Sequence, residues 1–232
     1  MTIEARAHVW EGPGGPFEGH LAFAAGREPR PGILIAPTIM GVTDLERGIA
    51  ARLAERGYVA LVADVYGQAR HPATMDEARP LMDALNADRP LLAARMAAAF
   101  DALRQRGNVD PARTAAFGYC FGGKCVLDLA RAGEPVTGVV TFHGLLDPPP
   151  AGHGEISARL LVLHGWDDPL ATPDQVEAFA REMTAARVDW QLHAYGHTVH
   201  AFTNPNREGM YSPVAEARSW RAAMNFLDEL FG

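Results

Sequence analysis

Short apolar runs alternate with stretches of helical period along nearly the whole chain, and this alternation limits the fold more than any other feature. Strand-length runs recur at residues 3–10, 21–24, 33–36, 59–63, 114–118, 136–142, 160–164 and 188–194. Several are almost unbroken in apolar residues, such as Ile33-Leu34-Ile35-Ala36 and Leu160-Leu161-Val162-Leu163, as strands must be when helices cover both faces of a sheet. Between them, residues 44–56, 75–86, 90–106, 122–132, 173–186 and 215–231 carry the three-and-four spacing of amphipathic helices. Strand then helix, repeated, predicts an α/β protein with a mostly parallel eight-stranded sheet and helices on both faces. Only a Gly/Pro-rich turn separates the first two runs, too short for a crossover helix, so they are expected to form an antiparallel N-terminal hairpin at one edge. The Pro-rich pieces at 11–16 and 147–154 are too short for linkers and read as surface loops.

The chain has 232 residues, 48% of them hydrophobic, which suits a single domain spanning residues 1–232; such a domain buries roughly 70% of its unfolded surface without needing staples. Twenty-one Lys+Arg against 28 Asp+Glu leave a formal charge of -7 with no basic block, which argues against nucleic acid or anionic membranes as partners. Two cysteines, Cys120 and Cys125, are too few for a disulfide framework or a structural zinc site. The start lacks a leader pattern, and no stretch approaches the ~20 apolar residues that span a bilayer. A cytoplasmic protein is expected, as a monomer or homodimer.

In sheets of this kind ligands bind outside the carboxyl ends of the strands. There, after the strand at 114–118, stands Gly118-Tyr119-Cys120-Phe121-Gly122-Gly123, with a helix following at once. A residue thrust up on a strained strand-to-helix turn leaves no room beside it, so the positions two before and two after must be small, and Gly118 and Gly122 meet that demand. A thiol there gains from the helix N-terminus, which favours thiolate and a developing oxyanion. The simpler reading, a small buried hydrophobe among packing glycines, has to be decided by partners. Cys125, inside the helix, reads as a core thiol.

After the strand at 160–164 comes Trp166-Asp167-Asp168-Pro169, where an acid can accept the Nδ1 proton of a histidine and fix its tautomer. Asp168 is favoured, since Asp167 suits a turn with Pro169. The last strand runs into Tyr195-Gly196-His197-Thr198-Val199-His200-Ala201-Phe202. Nucleophile, acid, histidine is the order that α/β-hydrolases use. His193, His197 and His200 do not have the spacing of helical zinc ligands, so no metal is expected. His143 and His164, also at strand ends, read as hydrogen-bonded core groups or as groups that support the catalytic residues, rather than as catalysts.

These segments, with Ile35-Ala36-Pro37-Thr38-Ile39-Met40-Gly41-Val42 and Ala63-Asp64-Val65-Tyr66, resemble the dienelactone hydrolase family, a Cys-nucleophile branch of the α/β-hydrolase superfamily, over most of the chain. The resemblance implies an α/β-hydrolase fold, Cys120 as nucleophile, Asp168 as orienting acid and His200 as base. It also implies an oxyanion hole from the backbone N–H groups of Phe121 and Ile39, with no cofactor. Thr38 stands where the best-known members have a glutamate, and Asn204 where they have a substrate-holding arginine; a second such arginine would fall near Arg79. These departures argue against dienelactone itself as substrate. Thr38, Tyr66, Arg79, Trp166, Phe202 and Asn204 are the candidates for the substrate pocket. The expected activity is hydrolysis of a small ester or lactone through an acyl-enzyme. Thioester hydrolysis by the same triad, or a redox or electrophile sensor built on Cys120, are the alternatives.

Overall fold

The computed structural model describes residues 2–26 and 28–232. Along the chain come β1 (Ile3–Gly12), β2 (Gly15–Ala24), β3 (Arg30–Ala36), α1 (Asp44–Glu55), β4 (Val59–Val62), α2 (Met75–Ala87), α3 (Arg89–Arg104), β5 (Val109–Tyr119), α4 (Phe121–Arg131), β6 (Gly138–Phe142), β7 (Arg159–Gly165), α5 (Pro173–Ala185), β8 (Trp190–Tyr195) and α6 (Pro213–Phe231). The eight strands form one mixed sheet in the order β1-β2-β4-β3-β5-β6-β7-β8. β1 pairs antiparallel with β2, and β2 with β4, whereas β3–β4, β6–β7 and β7–β8 are parallel. This is the expected α/β-hydrolase arrangement with its N-terminal hairpin at an edge. Contacts group the chain into two compact units, residues 1–116 and 117–232, and β5 carries the chain from one to the other.

In the first unit the hairpin is longer than its apolar pattern suggests. Residues 11–16 are not a loop: Glu11 pairs with Pro16 and Gly12 with Gly15, leaving Pro13 and Gly14 as the turn. Gly14 and Gly15 have φ of 94° and 119°, which glycine tolerates and which a tight reversal between twisted strands requires. Most of β1 faces solvent, so charged residues obscure the strand. Its inward positions nevertheless pack: Trp10 stacks on its cross-strand partner Phe17 at 5.8 Å, and the Arg95 guanidinium lies over the Phe17 ring. Arg95 also donates to the carbonyls of Val65 and Tyr66.

The segment between β3 and α1 is organised by one buried carboxylate. Glu46 has no exposed surface; its Oε1 accepts from the backbone N–H and the hydroxyl of Thr38, both at 3.1 Å, and its Oε2 from the backbone N–H and the hydroxyl of Thr43. Burial of a charge is tolerable when its lone pairs are used this fully. Thr43 is the N-cap of α1, and Glu46 completes the capping box.

In the second unit, β6, β7 and β8 run parallel beside α4 and α6. Gly138 opens β6 to close approach: a Cβ there would lie 2.3 Å from Leu230 Cδ1 of α6. Arg131 at the end of α4 is buried against Glu182 of α5 at 2.6 Å and donates to the Leu146 carbonyl. Ser212 caps α6, its hydroxyl accepting from the Ala215 N–H. No helix among the described residues is long and apolar enough to cross a membrane.

Candidate active site

Cys120, Asp168 and His200 all belong to the second unit and follow its strands directly: Cys120 after β5, Asp168 after β7 and His200 after β8. Cys120 sits at the N-cap of α4 with φ 57° and ψ -118°, a conformation that non-glycine residues adopt only where surroundings over-determine it. The surroundings are explicit. Its N–H donates to the Phe142 carbonyl at 3.1 Å, and its carbonyl accepts from Gly123. A Cβ on Gly118 would lie 2.2 Å from the Gly122 carbonyl oxygen, and one on Gly123 would lie 2.4 Å from the Cα of Gly144. The turn can therefore form only around these hydrogens, and Cys120 remains half-buried while α4 behind it is fully buried. Cys125 is part of that buried helix, a core thiol as expected.

The acid and the histidine meet because two loops are laced together. Trp166 N–H donates to the Tyr195 carbonyl and Asp167 N–H to the Thr198 carbonyl, at 2.9 and 3.0 Å. Gly165 makes this approach possible, since a Cβ there would lie 2.5 Å from the Thr198 oxygen. His197 and Ala201, with φ of 55° and 58°, bend the second loop on either side of His200. The outcome is a contact of 2.8 Å between His200 Nδ1 and Asp168 Oδ2, both residues buried. The other oxygen, Oδ1, accepts from the Leu170 N–H at 2.8 Å, so the carboxylate is oriented by its own turn.

Burial alone would lower the pKa of His200, but hydrogen bonding to Asp168 and to Cys120, with the charges of both, raises it to about 10. Nε2 has no hydrogen bond of good geometry, so the influence of Cys120 is that of a nearby sulfur rather than an aligned acceptor. Such an imidazole, once it takes a proton, holds it. Two further buried imidazoles behave in the opposite way. His143 is held well below its usual value by burial and by the charge on His200; His164 is lowered by burial and by His200, against the opposing pull of Asp168.

His143 meets the expectation of a hydrogen-bonded core group, with Nε2 2.8 Å from the Thr203 hydroxyl. His164 does not: neither ring nitrogen has a hydrogen-bond partner, and its ring packs edge-on to Trp166 instead. Phe202 also differs from the expectation of a pocket wall. Its ring has no exposed surface and lies against His143 and Tyr195, because the bend at Ala201 turns it inward. Trp166 is exposed, at 45%, and available to a substrate. Asn204 forms a local turn, its side-chain oxygen accepting from the Asn206 N–H. Phe121 is the buried first residue of α4, where backbone N–H groups lack intrahelical acceptors.

The remaining candidates belong to the first unit. Thr38 is buried and tied to Glu46; the Tyr66 hydroxyl donates to the Ile39 carbonyl at 2.7 Å; and Arg79 is exposed on α2. Gly123, Gly165, Thr198 and Thr203 carry structural duties at the site that the sequence alone does not assign to them. Among the described residues no three His, Cys, Asp or Glu side chains group as a metal site.

The dienelactone hydrolase family model matches residues 17–231. Among solved structures, m3DLH is 39% identical with a TM-score of 0.95 over all of both chains. A dienelactone hydrolase-like promiscuous phosphotriesterase from metagenomic libraries is 37% identical, again with a TM-score of 0.95 and full coverage of both chains. A probable 2-oxo-3-(5-oxofuran-2-ylidene)propanoate lactonase of Bradyrhizobium sp is 27% identical over 98% of this chain and 96% of its own. With its fold and nearly all its length matched, the chain belongs to the dienelactone hydrolase family and is a hydrolase of the lactonase and esterase kind.

Proposed function

We propose that the chain hydrolyses small carboxylic esters or lactones by covalent catalysis at Cys120. The observation that carries this reading is the 2.8 Å contact between Asp168 and His200, on an imidazole whose proton affinity Cys120 helps to raise. With its proton already held by His200, the Cys120 thiolate attacks the carbonyl carbon, and the C=O electron pair moves onto oxygen. That oxyanion accepts from the backbone N–H of Phe121 at the start of α4. The tetrahedral adduct collapses with loss of the leaving alkoxide, which receives the proton from His200, and a thioester remains on Cys120. Water then gives a proton to His200 and attacks the thioester; the acid leaves and the thiol is restored. With a lactone the leaving alkoxide stays attached to the acyl group. Asp168 keeps Nδ1 as donor and steadies the imidazolium throughout.

This route needs no cofactor, and it serves thioesters equally because the acyl-enzyme is common to both. A second reading extends the reaction to phosphotriesters, since the 37% identical structure is described as a promiscuous phosphotriesterase; there sulfur attacks phosphorus and an aryloxide leaves. The test uses p-nitrophenyl butyrate, a panel of γ- and δ-lactones and a dialkyl p-nitrophenyl phosphate with wild type and Cys120→Ala. Turnover of ester or lactone that vanishes in the variant supports the proposal. Turnover retained by Cys120→Ala, or none by wild type on any ester or lactone, overturns it.

A further inference from the structure

We propose that His143, tethered by Thr203, is a positioning residue that holds the His200 ring in register with Asp168 and Cys120. The inference rests on the reading of His200 as the base and adds a residue to it. His143 directly follows β6 and has φ 42°, so the backbone there is in the left-handed region that a branched or bulky residue enters only under constraint. Its N–H donates to the Leu163 carbonyl of β7 at 2.9 Å, which fixes that conformation against the strand leading to Asp168. Gly144, next in sequence, meets Gly123 of α4, a Cβ on Gly144 lying 3.0 Å from the Gly123 Cα. The residue is thus clamped between the acid-bearing strand and the helix of the Cys120 turn.

Its ring is equally constrained. The centroid lies 5.1 Å from that of His200 at 66°, and 5.1 Å from that of Phe202 at 82°; Tyr119, the last residue of β5, contacts it edge-on at 6.2 Å. The Thr203 hydroxyl, three residues beyond His200, holds Nε2 at 2.8 Å. His143 therefore joins the His200 loop by a polar tether and touches the His200 ring edge to face, a geometry that favours aromatic pairs. The titratable groups in contact with it are the His200 ring on the loop after β8 and the Tyr119 ring at the end of β5. Of these, His200 is the one whose charge acts directly on it. Burial and that charge keep His143 neutral, so one positive charge is shared by the pair and resides on His200. A neutral aromatic ring against an imidazolium is attractive, whereas a second cation would repel it.

The test compares wild type, His143→Phe, His143→Ala and Thr203→Val. Two readouts are taken: the pH profile of kcat and KM for p-nitrophenyl butyrate, and the His200 titration by NMR of ring-labelled protein. In His143→Ala, kcat is expected to fall about tenfold or more, as misplaced catalytic groups do, with KM little changed. The His200 pKa is expected to drop, because the Asp168 and Cys120 interactions that raise it need a fixed ring. His143→Phe keeps the ring contact and should retain most of kcat, while Thr203→Val, which removes only the tether, should shift the His200 titration in the same direction by less. A folded His143→Ala, or a folded Thr203→Val where the alanine variant fails to fold, with wild-type kcat and wild-type His200 titration overturns the proposal. The NMR readout needs no turnover, so failure of the hydrolytic reading and failure of this one are separately visible.

Discussion

The loop after β8 and the strand ends beneath it each bury imidazole, yet they set its proton affinity in opposite directions. His200 and His164 are both nearly inaccessible, at 4% and 1%, and burial disfavours the charged form of each. What separates them is the partner within hydrogen-bond reach. His200 has Asp168 on Nδ1 and feels Cys120, and is raised to about 10; His164 has neither nitrogen engaged and is lowered. His143 has a neutral hydroxyl on Nε2, and it too is lowered, by burial and by the charge on His200. Depth within the fold does not set the direction of the shift; a carboxylate and a thiol acting on the same ring do. The sheet produces that difference by ending β5, β7 and β8 where their loops converge, with Gly165 admitting one loop to the other.

The comparison is broken most severely by removing the partners. Cys120→Ala is expected to cost at least about 10³-fold in kcat for a p-nitrophenyl ester, as loss of a nucleophile does elsewhere, and to lower the His200 pKa by removing two of the influences that raise it. Asp168→Asn should cost about 10²- to 10⁴-fold in kcat, because Nδ1 loses its anionic acceptor and the wrong tautomer becomes available. It should also move the His200 titration downward. Steady-state kinetics and ring-labelled NMR on the same samples check both effects.

Stability measurements sharpen the contrast further. Gly165→Ala forces a Cβ to within 2.5 Å of the Thr198 oxygen, so urea unfolding should show a loss of about 1–3 kcal/mol, and kcat should fall as the His200 loop is pushed off Asp168. The signs of the pH dependence are opposite for the two kinds of histidine. The raised pKa of His200 gives stability that is complete below its unfolded value of 6.5 and lost as pH rises through about 10. The lowered pKa values of His143 and His164 leave stability intact above 6.5 and erode it as pH falls below, because the unfolded chain then binds protons that the folded one refuses. His164→Leu should therefore flatten the acid side of the stability curve. The smallest effect is the control: Ser212→Ala removes the cap of α6 and should cost about 1 kcal/mol, equally at about pH 5 and about pH 8, since no histidine is involved.

The parts of this site that a reader of the sequence can find are those with local causes. The small residues flanking Cys120 are demanded by the turn itself, and the order of cysteine, acid and histidine follows the strands that carry them. Central strands such as β7 were legible because both of their faces are apolar. The outer hairpin was legible as a pairing but not in its full length, since most of β1 faces water and β2 begins with Gly15, Pro16 and Glu18; likewise β5 starts five residues early through Asp110, Pro111 and Arg113. Gly165 opposite Thr198, Gly123 opposite Gly144, and His143 against His200 are contacts between segments far apart in sequence, and such contacts leave no periodicity to read. Phe202 packs inward after the left-handed turn at Ala201, a local backbone conformation that side-chain type does not announce.

The central claim is that Cys120 forms the covalent intermediate. Rapid-quench mass spectrometry of the wild-type chain mixed with p-nitrophenyl butyrate, followed by peptide mapping, tests it directly. The account predicts one butyryl group on the peptide containing Cys120, formed during the burst of p-nitrophenol and absent from Cys120→Ala. Turnover with an unmodified Cys120 throughout, or an acyl group on any other residue during the burst, would contradict it.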